Sequence, residues 1–432
     1  MSTTRLEFHP LTYVQERDDV TVGRVDAASF AVLPEDGVAL LRRLADGMPV
    51  AAAEQWYLRT YGETVDMADF VDAMRELGFV RAEGEPLATP PKVRFRRLGR
   101  ATFSPLAWAA YALVIAAAAV AMVSRPELRP QASNVFFVPS LLAVQLGLAL
   151  CQSPAILWHE WYHLLAARRL GLPTRMRVGR RLYYAVVETE LDALLTVLAW
   201  QRYLPMLAGL LADAVLFGTL VLAAAADLSG GLSWAGRLAL AVVYTVLLRM
   251  SWQFYVFLRT DMYYVATTAL GCTNLDEVSR AYLRDRFSWL PWVRRSDWAE
   301  GNWSPRDRQL APWFALITCA GVGVLLVTVA LWTAPLIWEF GTRVVTALVD
   351  GTPTGPGFWD SVASLLLVAF EIVLLPLLAG RTRPGAGRPQ KGFAELRRKW
   401  RFVGAANRFL SRETQVLGVR VRTGPVTADP QA

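Results

Sequence analysis

The sequence is poor in charge, cysteine and histidine, and each shortage narrows what the chain can be. Only 19% of its 432 residues are charged, against 54% hydrophobic. That balance is too apolar for a soluble globular protein and suits a chain that is part membrane, part soluble. The three cysteines, Cys151, Cys272 and Cys319, form no C-x-x-C pair. Neither a disulfide framework nor a cysteine metal site is expected, and all three read as buried packing residues. The polar-to-mixed N-terminal region lacks the early apolar core of a signal peptide, which keeps the N-terminus in the cytoplasm. The net charge of +8 clusters beside apolar runs. That placement reads as topology and contact with anionic lipid, and not as a nucleic-acid surface.

Residues 1–90 read as a small soluble domain. Strand-like runs at Thr12–Glu16, Val20–Val25 and Ser29–Leu33 precede helical patterns at 37–44, 50–61 and 66–77, and a last strand is expected at Phe79–Arg81. A Pro-rich stretch over 83–91 leads into a basic linker, 91–103. Beyond it lie six apolar runs long enough to span a bilayer: Leu106–Val123, Val138–Ala167, Tyr203–Ala226, Arg237–Leu258, Pro312–Trp338 and Phe358–Ala379. The second overhangs one bilayer thickness, with Pro154 as an expected kink.

Basic residues test that count. They cluster before the first run, after the second (Arg168, Arg169, Arg175, Arg177), at the end of the fourth (Arg259) and after the sixth. These clusters share one side only if six spans leave both termini inside, at the inner cell membrane. The expected fold is therefore mainly α and polytopic, with about six transmembrane helices and a small N-terminal α+β winged-helix-like domain. Residues 104–275 form the membrane core, with a surface strand or hairpin within 171–200. A Trp- and Arg-rich interfacial loop covers 276–311, two added helices cover 312–380, and 381–432 is a basic cytoplasmic tail with an amphipathic helix over Phe393–Leu410.

Chemistry concentrates at His159-Glu160-Trp161-Tyr162-His163. Residues four apart share a helix face, so both imidazoles can reach one Zn²⁺. Glu160, one residue round, is placed to take a proton from metal-bound water. A catalytic zinc needs a third protein ligand. His9 lies in the soluble domain, which leaves Asp213, Asp261, Glu188, Glu190 and Glu371. Asp261, at the end of the fourth run, shares a membrane face with the histidines and is the favoured ligand; its alternative roles are a helix cap or a partner to Arg259. Asp213 sits mid-helix among apolar residues, where a charge is costly and usually functional. It reads as a partner of a histidine, a substrate contact or a packing residue. Glu371 reads as an interhelix contact, and Glu188 and Glu190 as solvated.

The stretch H-E-W-Y-H-L-L-A-A-R-R-L-G, from His159 to Gly171, resembles the site-2 protease family of intramembrane zinc metallopeptidases, and R-T-D-M-Y-Y resembles its peptide zinc metalloprotease branch. The resemblance covers about residues 104–275. It implies His159, His163 and Asp261 as metal ligands and Glu160 as catalytic base. Met262 stands where the family has glycine after the aspartate. Of the family's G-P-x-x-N-like motif, Gly209 and Asp213 hold the first and last places, with leucine for proline and aspartate for asparagine, which marks both for substrate or ligand-support roles. The N-terminal pattern V-G-R-V-D-A-A-S-F-A-V-L-P-E-D-G to L-A-D-G, with the closing R-E-L-G-F-V, resembles PqqD-like modules, also called RiPP recognition elements. These bind a leader peptide as an added strand; the alternative is a winged-helix-like fold with no peptide ligand. The expected function is a membrane zinc endopeptidase that cuts a peptide or protein substrate, such as the leader of a ribosomally made product, at the cytoplasmic membrane face. The alternatives are a regulated intramembrane protease acting on a membrane-anchored regulator, or a non-hydrolytic peptide-binding or export protein. The oligomeric state is not readable.

Overall fold

The computed structural model describes residues 5–374, apart from 17–18, 28, 88, 90–91, 182–183, 229–230, 273, 292, 294–297, 299–302 and 353. The expected tail helix and the end of the sixth apolar run lie outside the described residues. The protein is mostly helical and divides into two compact units at Thr89 and Pro90.

In the N-terminal unit, β1 (Thr12–Glu16), β2 (Asp19–Arg24) and β3 (Ser29–Pro34) form an antiparallel meander in that order. Alternation places Val20, Val22, Ala31 and Leu33 on one face, where they are buried with Val38, Leu41 and Leu44 of α1 (Glu35–Ala45). α2 (Val50–Tyr61) ends at Gly62, whose φ of 72° suits a residue without a Cβ. α3 (Met67–Glu76) starts at Asp66, whose carboxylate accepts from the Ala68 and Asp69 N–H groups at 3.0 Å each. The expected last strand pairs with the chain ahead of β1: the His9 N–H donates to the Phe79 carbonyl at 3.0 Å, and the Arg81 N–H to that of Glu7 at 2.7 Å.

The second unit opens with the short α4 (Arg96–Thr102), then α5 (Pro105–Ser124) and the long α6 (Leu141–Arg169). α6 is continuous through Pro154. The expected surface hairpin is present as β4 (Met176–Arg181) paired with β5 (Tyr184–Thr189). It leads to α7 (Ala199–Ala226) and α8 (Trp234–Trp252). α8 stops six residues short of the expected Leu258, because the chain leaves the helix at Gln253 and turns. α9 (Asp261–Leu270) and α10 (Leu275–Arg286) follow. The stretch expected as a surface loop thus begins with a folded helix, whose buried Leu275 packs with Phe314 of α11 (Pro305–Thr328). α11 runs through a π turn at Val329–Thr333 into α12 (Ala334–Val349), and α13 (Pro356–Ala369) follows.

Among the described residues, six helical stretches are long and apolar enough to cross a membrane. One of them, Pro305–Val349, runs for 45 residues, about 68 Å of helix against roughly 30 Å of hydrocarbon. Large apolar side chains point outward along these helices, as with Leu106, Leu113 and Val123 of α5. Cys319, expected to be buried, is exposed on α11 in the same way, Cys151 is half-buried and Cys272 is buried.

Polar contacts tie the helices together. Asp360 of α13 caps the N-terminus of α6: its carboxylate accepts from the Leu141 N–H at 2.7 Å and from the Ser140 hydroxyl. One turn on, the Ser364 hydroxyl donates to Gln145 at 2.8 Å. The added helices are thereby anchored to α6, the helix that carries the histidines. Replacing Asp360 by Ala strands those donors, and we expect a loss of about 1–3 kcal/mol. It will read as a lowered thermal midpoint in detergent, with Asp360→Asn intermediate.

Candidate metal centre

His159 and His163 sit one turn apart on α6, both buried. Each ring is oriented through its Nδ1. His159 Nδ1 lies 3.0 Å from Asp213 Oδ2, and His163 Nδ1 lies 2.7 Å from the Pro205 carbonyl oxygen, both on α7. Both partners are acceptors, so in the neutral imidazoles Nδ1 carries the proton and Nε2 presents a lone pair. Those two Nε2 atoms face one another at 3.1 Å.

Asp261 Oδ2 completes the group, at 3.3 Å from His159 Nε2 and 3.2 Å from His163 Nε2. This oxygen is buried and finds no hydrogen-bond donor among the described residues. Three lone-pair atoms held this close without a proton between them repel unless positive charge sits among them. Ligands about 2.0–2.1 Å from a tetrahedral ion stand roughly 3.3–3.4 Å apart. The observed separations match that figure, so the His159–His163–Asp261 group can hold a metal ion. The Asp261 side chain is 25% exposed while those of His159 and His163 are 7% and 3%, so the group is least enclosed on the Asp261 side.

Gly209 of α7 leaves the space beside the two Nε2 atoms open. A Cβ on this residue would lie 2.3 Å from both Nε2 atoms. The sequence singled out Gly209 and Asp213 together, and the structure puts both against the histidines. Asp213 meets the far nitrogen of His159, which makes it a ring-orienting partner and not a ligand. Such carboxylate–histidine pairs fix the tautomer and raise ligand basicity.

Asp261 reaches the site by a route the sequence did not suggest. It was expected to end the fourth span; instead it opens α9, a separate helix. The turn between is built on Gln253, whose carbonyl accepts from the Thr260 hydroxyl at 2.6 Å and whose side-chain oxygen accepts from the Asp261 N–H at 3.2 Å. Arg259 adopts a left-handed φ of 55°, uncommon for a residue with a side chain. Its guanidinium binds Asp276 of α10 at 2.6 Å. The Asp276 N–H in turn donates to the Tyr263 hydroxyl at 3.2 Å, a group that burial pushes up to about 12 and that stays neutral. This lattice holds the strained turn in place and carries Asp261 to the histidines.

Glu160 points toward the hairpin. The Thr189 hydroxyl, at the end of β5, lies 2.8 Å from its Oε2 and 3.1 Å from its main-chain oxygen. The other acidic candidates are elsewhere. Glu188 is exposed, Glu190 pairs with Arg177 at 2.8 Å, and Glu371, expected in an interhelix contact, is exposed. His9 pairs with Glu85 inside the N-terminal unit.

Sequence reasoning missed Thr189, the Pro205 carbonyl, Gln152 and Arg249. Arg249 was detectable, because a cation inside an apolar run is costly and usually functional. The other three carry no such signal. We expect Gly209→Ala to abolish stoichiometric metal binding while His9→Ala retains it, as measured by elemental analysis of the purified protein. The chain matches no family model, no curated protein and no solved structure.

Proposed function

We propose that this protein is a membrane-embedded zinc metalloendopeptidase that cuts a peptide at the cytoplasmic membrane face. The observation that carries this reading is the convergence of two tautomer-fixed imidazoles and one carboxylate at 3.1–3.3 Å, with a glutamate adjacent on the same helix. The two-nitrogen, one-oxygen donor set and its spacing suit zinc with one position left open.

His159, His163 and Asp261 would hold the ion. When bound, zinc supplies a Lewis acid for the scissile carbonyl and lowers the pKa of a water in the open position. Glu160 would accept a proton from water and return it to the leaving amine, and the Thr189 hydroxyl, 2.8 Å from its Oε2, would restrain the carboxylate. Asp213 and the Pro205 carbonyl keep both imidazoles in the ligating tautomer throughout.

The outward apolar faces of the six long helices support membrane residence, and the one-sided basic clusters support cytoplasmic termini at the inner membrane. The three-stranded sheet leaves β1 and β3 as edges. An extended peptide can add there through main-chain hydrogen bonds, which supports a docking role for a PqqD-like N-terminal unit. A substrate captured on a tethered unit meets the site at raised local concentration.

We expect the purified protein to carry about one zinc per chain, lost in His163→Ala and Asp261→Ala. Glu160→Gln will keep the metal and lose roughly 10²-fold or more of the hydrolysis of a fluorescein-labelled unstructured polypeptide. Wild-type hydrolysis in Glu160→Gln would remove the peptidase reading and leave a metal-organised binding or export protein.

A further inference from the structure

We propose that Arg249 is a positioning residue for the metal centre: its guanidinium aims the Asp213 carboxylate at His159 and balances its charge, and the site reaches full metal affinity only with this pair intact. The proposal rests on reading His159, His163 and Asp261 as the metal ligands.

Asp213 is fully buried, mid-helix on α7. An unpaired anion there would be strongly disfavoured among apolar residues. Arg249, near the C-terminus of α8, meets it as a fork: Nη2 donates to Oδ1 at 2.6 Å and Nε to Oδ2 at 3.1 Å. The helix end also favours a cation at that position. Oδ2 is the same oxygen that receives the His159 Nδ1–H at 3.0 Å. A carboxylate held by one hydrogen bond can swivel about its last torsion, whereas one gripped by a planar fork cannot. The plane of the Asp213 carboxylate, and with it the direction of the His159 lone pair, is therefore set by Arg249.

The guanidinium is itself immobilised. Its remaining nitrogen, Nη1, donates to Gln152 Oε1 at 3.0 Å, and the Gln152 amide donates to the Thr245 hydroxyl. Gln152 lies seven residues before His159, two turns along the same face of α6. The chain Thr245–Gln152–Arg249–Asp213–His159 thus begins and ends on the helices it joins, α6, α7 and α8. In charge, Asp213 and Arg249 cancel. The divalent ion is then opposed at its ligands by Asp261 alone, which preserves its pull on water and carbonyl oxygen.

A tie that served only to pack α7 against α8 would alter unfolding and leave the metal affinity of folded protein unchanged. The test measures zinc affinity of the full chain in detergent, by competition with a chromophoric chelator, alongside the thermal midpoint of metal-free protein. Arg249→Met is expected to weaken zinc by about 10- to 100-fold, and Asp213→Asn similarly, because it strands the cation. The double variant D213N/R249M is expected to bind no more weakly than R249M, since the second change removes the unbalanced charge. Arg249→Lys, which keeps the charge without the fork, should fall between wild type and R249M. Wild-type affinity in folded R249M, or a double-variant loss equal to the product of the single losses, overturns the proposal. If R249M does not fold, wild-type affinity in R249K overturns it. Wild-type protein that binds no zinc takes down the metal reading and this proposal together.

Discussion

Three polar atoms, two from histidines one helical turn apart and the third from the sequence-distant Asp261, stand within 3.1–3.3 Å of one another. Bringing them there is unfavourable without a cation, so the rest of the second unit must hold them in position. α6 supplies two of the atoms on one face. α7 supplies the two acceptors that turn the rings and the one residue, Gly209, that leaves space beside them. The Gln253–Thr260 turn supplies the third atom, at the expense of a left-handed Arg259 held by Asp276. Preorganisation of this kind is what a metal site requires of a protein, since ligands free to swing apart would have to be ordered at each binding event.

The helix carrying the histidines is also the one that gathers the others. Its polar residues reach three neighbouring helices: Ser140 and Gln145 meet α13, Gln152 meets α8, and His159 and His163 meet α7. Among apolar helices a polar side chain left unpaired is costly, and pairing with a neighbouring helix removes that cost while fixing rotation about the axis. The rotation of α6 is what decides whether both imidazoles face Gly209. The polar residues that assemble the bundle therefore also aim the site.

Glu160 belongs to a different surface. It projects to the side of α6 where β5 ends, and Thr189 grips it there. The hairpin is thereby tied to the helix that carries both histidines, through a residue adjacent to His159. Both histidines are buried, whereas the Asp261 side chain is partly exposed.

The sequence determined the parts set by local chemistry. Alternation and helical periodicity located β1, β2, β3 and the first three helices to within two or so residues. Apolar length located the long helices, and the spacing of His159 and His163 put them on one face, because these depend on repeats of 2 and 3.6 residues and on nothing distant. It pointed to Asp261 through topology, to Asp213 through its charge inside an apolar run and to Gly209 through resemblance. Tertiary structure decided the rest. That α8 ends at Trp252 depends on the Gln253 hydrogen bonds, and that Arg259 pairs with Asp276 depends on α10 folding back. Asp213 meets a ring nitrogen instead of joining the group that could hold a metal ion, because Arg249 and His159 reach it from two other helices. The ordering of Thr189, Pro205 and Gln152 around the histidines has no local signature, since a threonine, a carbonyl or an amide acquires its role only from what the folded chain places within 3 Å or so of it.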